Sequence, residues 1–121
     1  MYSKKVLENF QTPQNMGEIK NPDAVGKVGN TVCGDVIWLY LKINKNIITD
    51  IKFKTFGCVA AIATSSMLTQ LVKNKTLDEA LKVTDKDIIE KLDGLPAIKH
   101  HCSLIARKAL IMAIEDYKKT L

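Results

Sequence analysis

The hydrophobic pattern of this chain changes period at Gly57-Cys58, and that change limits the folds open to it. Before it, Val36 to Ile43 and Ile47 to Phe56 read as strands, the second with Ile51 and Phe53 alternating against Lys52 and Lys54. Asn44-Lys45-Asn46 is a short polar turn between them, so the pair predicts an antiparallel hairpin. After it, Val59 to Lys73 holds neither proline nor glycine and is rich in alanine and leucine-type residues, which predicts a helix.

Upstream, Ser3 to Phe10 carries Val6, Leu7 and Phe10 at helical spacing and predicts a short amphipathic helix. Gln11 to Gly34 is broken by Pro13, Gly17, Pro22, Gly26, Gly29 and Gly34; it reads as extended or looping, with a short strand around Ala24 to Val28. Downstream, Thr76-Leu77-Asp78-Glu79 has the pattern of a capping box and opens a helix to about Lys82. Thr84-Asp85-Lys86-Asp87 offers a second N-cap, and Asp93-Gly94 stops the helix that follows. Lys99 to Lys119 predicts a final helix with Ala106, Leu110, Ala113, Ile114 and Tyr117 along one side. Arg107, Lys108, Glu115 and Lys118 fit its exposed surface. Strands before helices, with no strand–helix–strand alternation, predict an α+β domain: a small antiparallel β-sheet of about three strands with helices packed on one face, in two layers. Residues 1–121 are expected to form a single domain, since that length buries a core without staples.

Bulk properties exclude several classes of function. Hydrophobic content of 46% with 26% charged residues is that of a globular chain, not a disordered one. The net charge of +5 comes from 17 lysines and a single arginine. Without an arginine stripe interleaved with aromatics, it points away from nucleic acid and toward a lysine-rich surface that steers an acidic protein partner. Val36 to Leu41 is the longest strongly apolar run, too short to span a membrane. The N-terminus lacks a hydrophobic signal core, and three cysteines cannot all pair within one chain. Free thiols in a reducing, cytoplasmic setting are expected.

The cysteines carry the chemistry. Cys33, Cys58 and Cys102 lie 25 and 44 residues apart, with no CxxC, so any shared site must be assembled by the fold. Gly34 lets the backbone turn so that Cys33 and Asp35 face one centre. Cys58 falls between a strand end and a helix start, and Cys102 in the first turn of the last helix, where the helix dipole favours thiolate. His101 adjoins Cys102; His100 points about 100° away on a helix, and the spacing alone does not separate the two. Lys99 is near enough to approach a ligand carboxylate or a partner. Cys33, Asp35, Cys58, His101 and Cys102 together exceed what a four-coordinate metal requires, which suits a site that loads and releases cargo. A structural zinc ion held by the same set is the alternative. A Cys102–His101 nucleophilic enzyme is a weaker rival, since helix neighbours seldom align as nucleophile and base.

With those residues in place, the chain resembles the IscU-type iron–sulfur cluster assembly scaffolds, which are similar to the N-terminal domain of NifU. The likeness rests on Tyr2-Ser3-Lys4-Lys5-Val6 with Pro13-Gln14-Asn15-Met16-Gly17, and on Cys33-Gly34-Asp35. It continues in Phe56-Gly57-Cys58 with Ala61-Ile62-Ala63-Thr64-Ser65-Ser66, and in Leu95-Pro96-Ala97-Ile98-Lys99-His100-His101-Cys102-Ser103. The resemblance implies three cysteine ligands, Cys33, Cys58 and Cys102, with Asp35 and His101 as accessory groups. It implies a scaffold and not an enzyme, on which a transient [2Fe–2S] cluster is built from iron and passed to apo iron–sulfur proteins. Sulfur would arrive as persulfide from a cysteine desulfurase, with Cys102 as acceptor. Ferredoxin-like and frataxin-like partners are implied, and zinc is expected at the same site in purified protein.

Two departures stand out. Val59 and Ala60 replace the usual small residue and serine after the second cysteine. Ala97 replaces the second proline of the segment that an Hsp70-type chaperone reads, which removes part of its rigid extended shape. The related SufU branch carries an insertion before the third cysteine and lacks the histidine, so His101 places this chain nearer IscU.

Overall fold

A computed structural model of the protein describes residues 2–30 and 35–120. In chain order it contains α1 (Lys4–Gln11), β1 (Ala24–Asn30), β2 (Asp35–Asn44), β3 (Ile47–Phe56), α2 (Val59–Val72), α3 (Leu77–Leu81), α4 (Asp85–Lys91) and α5 (His100–Lys119). A 3₁₀ turn at Ala97–Lys99 precedes α5. The strands form one antiparallel sheet in the order β1-β2-β3, and the α+β arrangement follows the sequence expectation.

The hairpin forms because Lys45 and Asn46 both take positive φ, 52° and 64°, the two-residue turn whose twist matches the flanking strands. Register then sets Leu39 opposite Phe53 and Leu41 opposite Ile51, with a bulge between Lys42 and Ile43. Those four side chains are wholly buried, each contributing about 1.5–3 kcal/mol of hydrophobic stabilisation. Alternation sends Val36, Trp38, Tyr40 and Lys42 to the other face, half-exposed. There the Trp38 ring meets Phe56 edge-on at 5.7 Å between centroids, with Lys27 and Lys54 at 5.3 and 5.1 Å from its centroid. Lysines on this face agree with the charge reading.

Helix α5 lies against β1. Ala106, Ala109, Ala113, Leu110 and Ile114 are buried, and Gly26 is where the two backbones meet. A Cβ at Gly26 would stand 2.1 Å from the Ala109 carbonyl oxygen and 2.9 Å from the Ala113 nitrogen. Helix α2 is buried almost all round, packing on β3, α5 and α1. The capping box of Thr76 with Glu79 forms as expected, and the N-cap expected at Thr84 closes a second box with Asp87.

Two local expectations change, and one segment gains a role. In α1 the buried residues are Val6 and Asn9, while Leu7 and Phe10 are 42% and 37% exposed. The surface that α1 meets is polar: Asn9 accepts hydrogen bonds from Ser66 Oγ and Gln70 Nε2, both at 2.8 Å. A polar residue on the inner face satisfies that seam, and a leucine would not. Within the breaker-rich stretch, Asn15 and Gly17 hydrogen-bond to both backbone groups of Phe53, so this segment covers part of the β3 edge. Arg107, expected on the free surface, donates to the Val83 and Leu81 carbonyls at 2.9 and 3.4 Å and so caps the end of α3.

Candidate metal centre

Asp35 is the first residue of β2, Cys58 is the N-cap of α2, and Cys102 is the third residue of α5. The fold brings these three element starts together. One donor atom from each of Asp35, Cys58 and Cys102 lies within 4.8 Å of the other two. The two sulfurs are 3.9 Å apart, and Cys102 Sγ is 3.8 Å from Asp35 Oδ2. Cys58 makes no side-chain capping bond, so its sulfur faces the cluster without a competing role at the helix end.

Two backbone facts hold the carboxylate there. Asp35 pairs in register with Asn30 at the end of the β1–β2 ladder, and the side chain is 6% exposed. Gly57 leaves the space it occupies: a Cβ at that position would lie 2.7 Å from Asp35 Oδ1 and 2.8 Å from Ala61 Cβ. Gly57 stands within Phe56-Gly57-Cys58, but its steric role depends on Asp35 arriving from another element.

The structure separates the two histidines. His100 Nε2 contacts the Leu95 carbonyl at 2.8 Å, across the 3₁₀ turn and away from the cluster. His101 Nδ1 is 3.0 Å from the Ile98 carbonyl, and its Nε2 is 3.6 Å from Cys102 Sγ. A carbonyl only accepts, so in the neutral ring Nδ1 carries the proton and Nε2 presents its lone pair on the sulfur side. That is the arrangement in which a second hydrogen bond orients a metal-binding imidazole. His101 meets the cluster through Cys102 and is not one of the three mutually close donors. Cys33 lies outside the described residues.

Electrostatics explain why such a cluster calls for a cation. Cys102 is 3% exposed and belongs to the hydrophobic core. Burial, then the neighbouring Cys58 and Asp35, push its thiol up to about 12, with Lys99 acting in the opposite direction. The helix start expected to favour thiolate at Cys102 is thus outweighed by burial and crowding of acidic groups. Lys99, expected to approach a ligand carboxylate or a partner, lies near sulfur. Attraction to Cys58 is the largest cause holding its ammonium above the ordinary lysine range, with burial opposing and Tyr2 and Cys102 adding. A positive counter-charge would offset the burial and crowding that hold the Cys102 thiol protonated, and a soft or borderline cation supplies one.

A small antiparallel sheet covered by helices brings two thiols and a carboxylate together from three element starts, a donor set that could hold a metal ion. The chain belongs to the NifU-like N terminal domain family, which matches residues 1–121, and within it to the IscU scaffolds for iron–sulfur cluster assembly. It is 56% identical over 117 residues to iron–sulfur cluster assembly scaffold protein IscU 1 of Archaeoglobus fulgidus, covering 97% of this chain and 76% of that one. It is 47% identical over 121 residues to the IscU scaffold of Escherichia coli (strain K12), covering 97% and 94%. A solved structure from thermophilic Fervidobacterium islandicum AW-1, described as an iron–sulfur cluster assembly scaffold protein for the SUF system, matches with a TM-score of 0.82. Its sequence identity is 25%, over 93% of this chain and 96% of that one. The curated relatives are named as assembly scaffolds, and this chain is a scaffold and not an enzyme. Among the described residues, no helix is long and apolar enough to cross a membrane.

Proposed function

We propose that this scaffold assembles a [2Fe–2S] cluster on Cys33, Cys58 and Cys102, with Asp35 and His101 as accessory ligands, and hands it to apo-proteins. The observation that carries the reading is the convergence of Cys58, Cys102 and Asp35 from three elements onto one point, within reach of a single ion. Iron and sulfide are the substrates here. Sulfur arrives as the persulfide of a cysteine desulfurase. The Cys102 thiolate attacks its outer sulfur, forming Cys102–S–S⁻ and releasing the donor cysteine as a thiol. A cation at the cluster favours that thiolate by offsetting the crowding of acidic groups. Ferredoxin-like and frataxin-like proteins are the proposed sources of electrons and assistance with iron. An Hsp70-type chaperone is not among the proposed partners, since Ala97–Lys99 forms a 3₁₀ turn where an extended segment would be read.

Asp35 adds a harder, more exchangeable oxygen to the sulfur ligands. Its replacement by alanine is expected to lengthen cluster lifetime under chelator and to slow transfer to an apo-ferredoxin. Zinc fits the same donors and would fill the site in purified protein, so metal content alone does not separate a scaffold from a structural zinc protein. Anaerobic reconstitution with ferrous iron, L-cysteine, a cysteine desulfurase and a dithiol reductant does. The expected result is a visible cluster chromophore in the wild type, lost or short-lived when any one of the three cysteines becomes serine. A chain that binds zinc and never develops the chromophore overturns the reading, as does a full-strength, equally stable chromophore in a single cysteine variant.

A further inference from the structure

We infer that Cys58 and Cys102 close into a reversible intramolecular disulfide when the site is empty, so that the scaffold carries a thiol switch excluded by its own cargo. As a switch the inference rests on the cluster-scaffold reading above; the bond itself does not.

Three observations support it. First, both cysteines are free, and their sulfurs already touch at 3.9 Å. A disulfide spans about 2.05 Å, so closure asks the sulfurs to approach by about 1.9 Å. Second, the pair is asymmetric. Cys58 is half-buried, whereas Cys102 is 3% exposed. An external disulfide meets Cys58 first, and Cys102 follows by attacking the sulfur that Cys58 then carries. Third, the Lys99 ammonium stands beside Cys58 and favours the approach of an anionic oxidant.

The oxidant is a low-molecular-weight disulfide, such as glutathione disulfide. The Cys58 thiolate attacks one of its sulfurs, forming Cys58–S–S–R and releasing R–S⁻. The Cys102 thiolate then attacks the Cys58 sulfur, forming Cys58–S–S–Cys102 and releasing the second R–S⁻. Two electrons pass from the two protein sulfurs to the two released thiolates. A dithiol reductant reverses both steps. Closure takes up two of the three mutually close donors among the described residues, so the oxidised site should bind a cation more weakly. A bound ion, in turn, holds both sulfurs and blocks the first attack.

The test uses the full-length chain, stripped of metal and treated anaerobically with glutathione disulfide. Free thiols are counted, and peptides are mapped by mass without reduction. The expected result is loss of two of three thiols with a Cys58–Cys102 linked peptide, a stable glutathione adduct on Cys58 in Cys102→Ser, and an unchanged link in Cys33→Ser. Preloading with zinc should slow thiol loss at least ten-fold. A link that joins Cys33 to either partner overturns the inference. So does oxidation of Cys102 at the wild-type rate in Cys58→Ser, or thiol loss that zinc does not slow. Reconstitution of the reduced protein keeps the two ideas apart. A chain that builds a cluster but never forms the link refutes only the disulfide, while a chain that forms the link but builds no cluster refutes the scaffold reading.

Discussion

Gly57→Ala is the substitution that best isolates how the site is built. The added methyl carbon would stand 2.7 Å from Asp35 Oδ1, 3.1 Å from Asp35 Cγ and 2.8 Å from Ala61 Cβ. Ordinary contact begins near 3.4 Å, so the carboxylate must retreat by about 0.7 Å, away from its place 3.8 Å from Cys102 Sγ. Ala61 sits in the first turn of α2 and is buried, so the helix side gives little. Overpacking of this kind costs about 1–3 kcal/mol of stability. A ligand group moved off its position is expected to weaken metal affinity by about 10–100-fold, the range seen when the groups that orient a metal ligand are removed. The assay is zinc affinity by competition with a chromogenic chelator, run on wild type, Gly57→Ala, Asp35→Ala and the double variant. Each single variant should bind more weakly, and the double variant no more weakly than Asp35→Ala alone, because the group that collides with the methyl is gone. Wild-type affinity in Gly57→Ala would refute the reasoning. So would a Gly57→Ala penalty that persists undiminished without Asp35, which would move the conflict to Ala61.

Gly26→Ala places its methyl against the backbone of α5, not against a pliable side chain, and should cost about 3 kcal/mol or more, read as a lowered urea midpoint; a wild-type midpoint would be inconsistent with the observed approach of Ala109. Lys45→Asn puts a residue tolerant of positive φ where lysine holds φ at 52°, and should raise stability by about 0.5 kcal/mol in thermal melts, with no gain counting against the turn assignment. The raised Cys102 thiol makes a pH prediction for metal-free protein. The folded state keeps a proton that the unfolded chain releases above about pH 8.5, so this contribution is whole below that pH and is lost as pH rises toward 12. The loss approaches about 1.4 kcal/mol per pH unit. Denaturant titrations at pH 8 and pH 10 should show a steeper fall in wild type than in Cys102→Ala, and parallel falls would refute it.

What the sequence made legible is what depends on neighbours along the chain. Thr76 with Glu79 and Thr84 with Asp87 satisfy each other within one turn, so pattern alone found both helix starts. The hairpin is equally local. The donors Asp35, Cys58 and Cys102 were readable because soft ligands are few in this chain and each adjoins a glycine or an element end. What escaped depends on residues far apart in the chain. Asn9 is buried in place of Leu7 and Phe10 because Ser66 and Gln70, some sixty positions later, present a polar surface to α1. Arg107 leaves the solvent because the end of α3 has carbonyls within its reach. Gly57 matters because Asp35 comes to it across the hairpin. Helix position favoured a thiolate at Cys102, but the depth of the pocket and the acidic company decide the opposite, and neither is written next to residue 102.

The membership of Cys102 in both the hydrophobic core and the donor cluster ties cargo to mechanical integrity. An ion seated between Asp35, Cys58 and Cys102 would bolt the first residue of β2 to the beginnings of α2 and α5. Occupancy and folding are then one equilibrium, and the loaded molecule should be the stiffer one. Release would then be an act of loosening: whatever draws the ion out must also overcome the stability the ion lends, leaving the scaffold more pliable at that end.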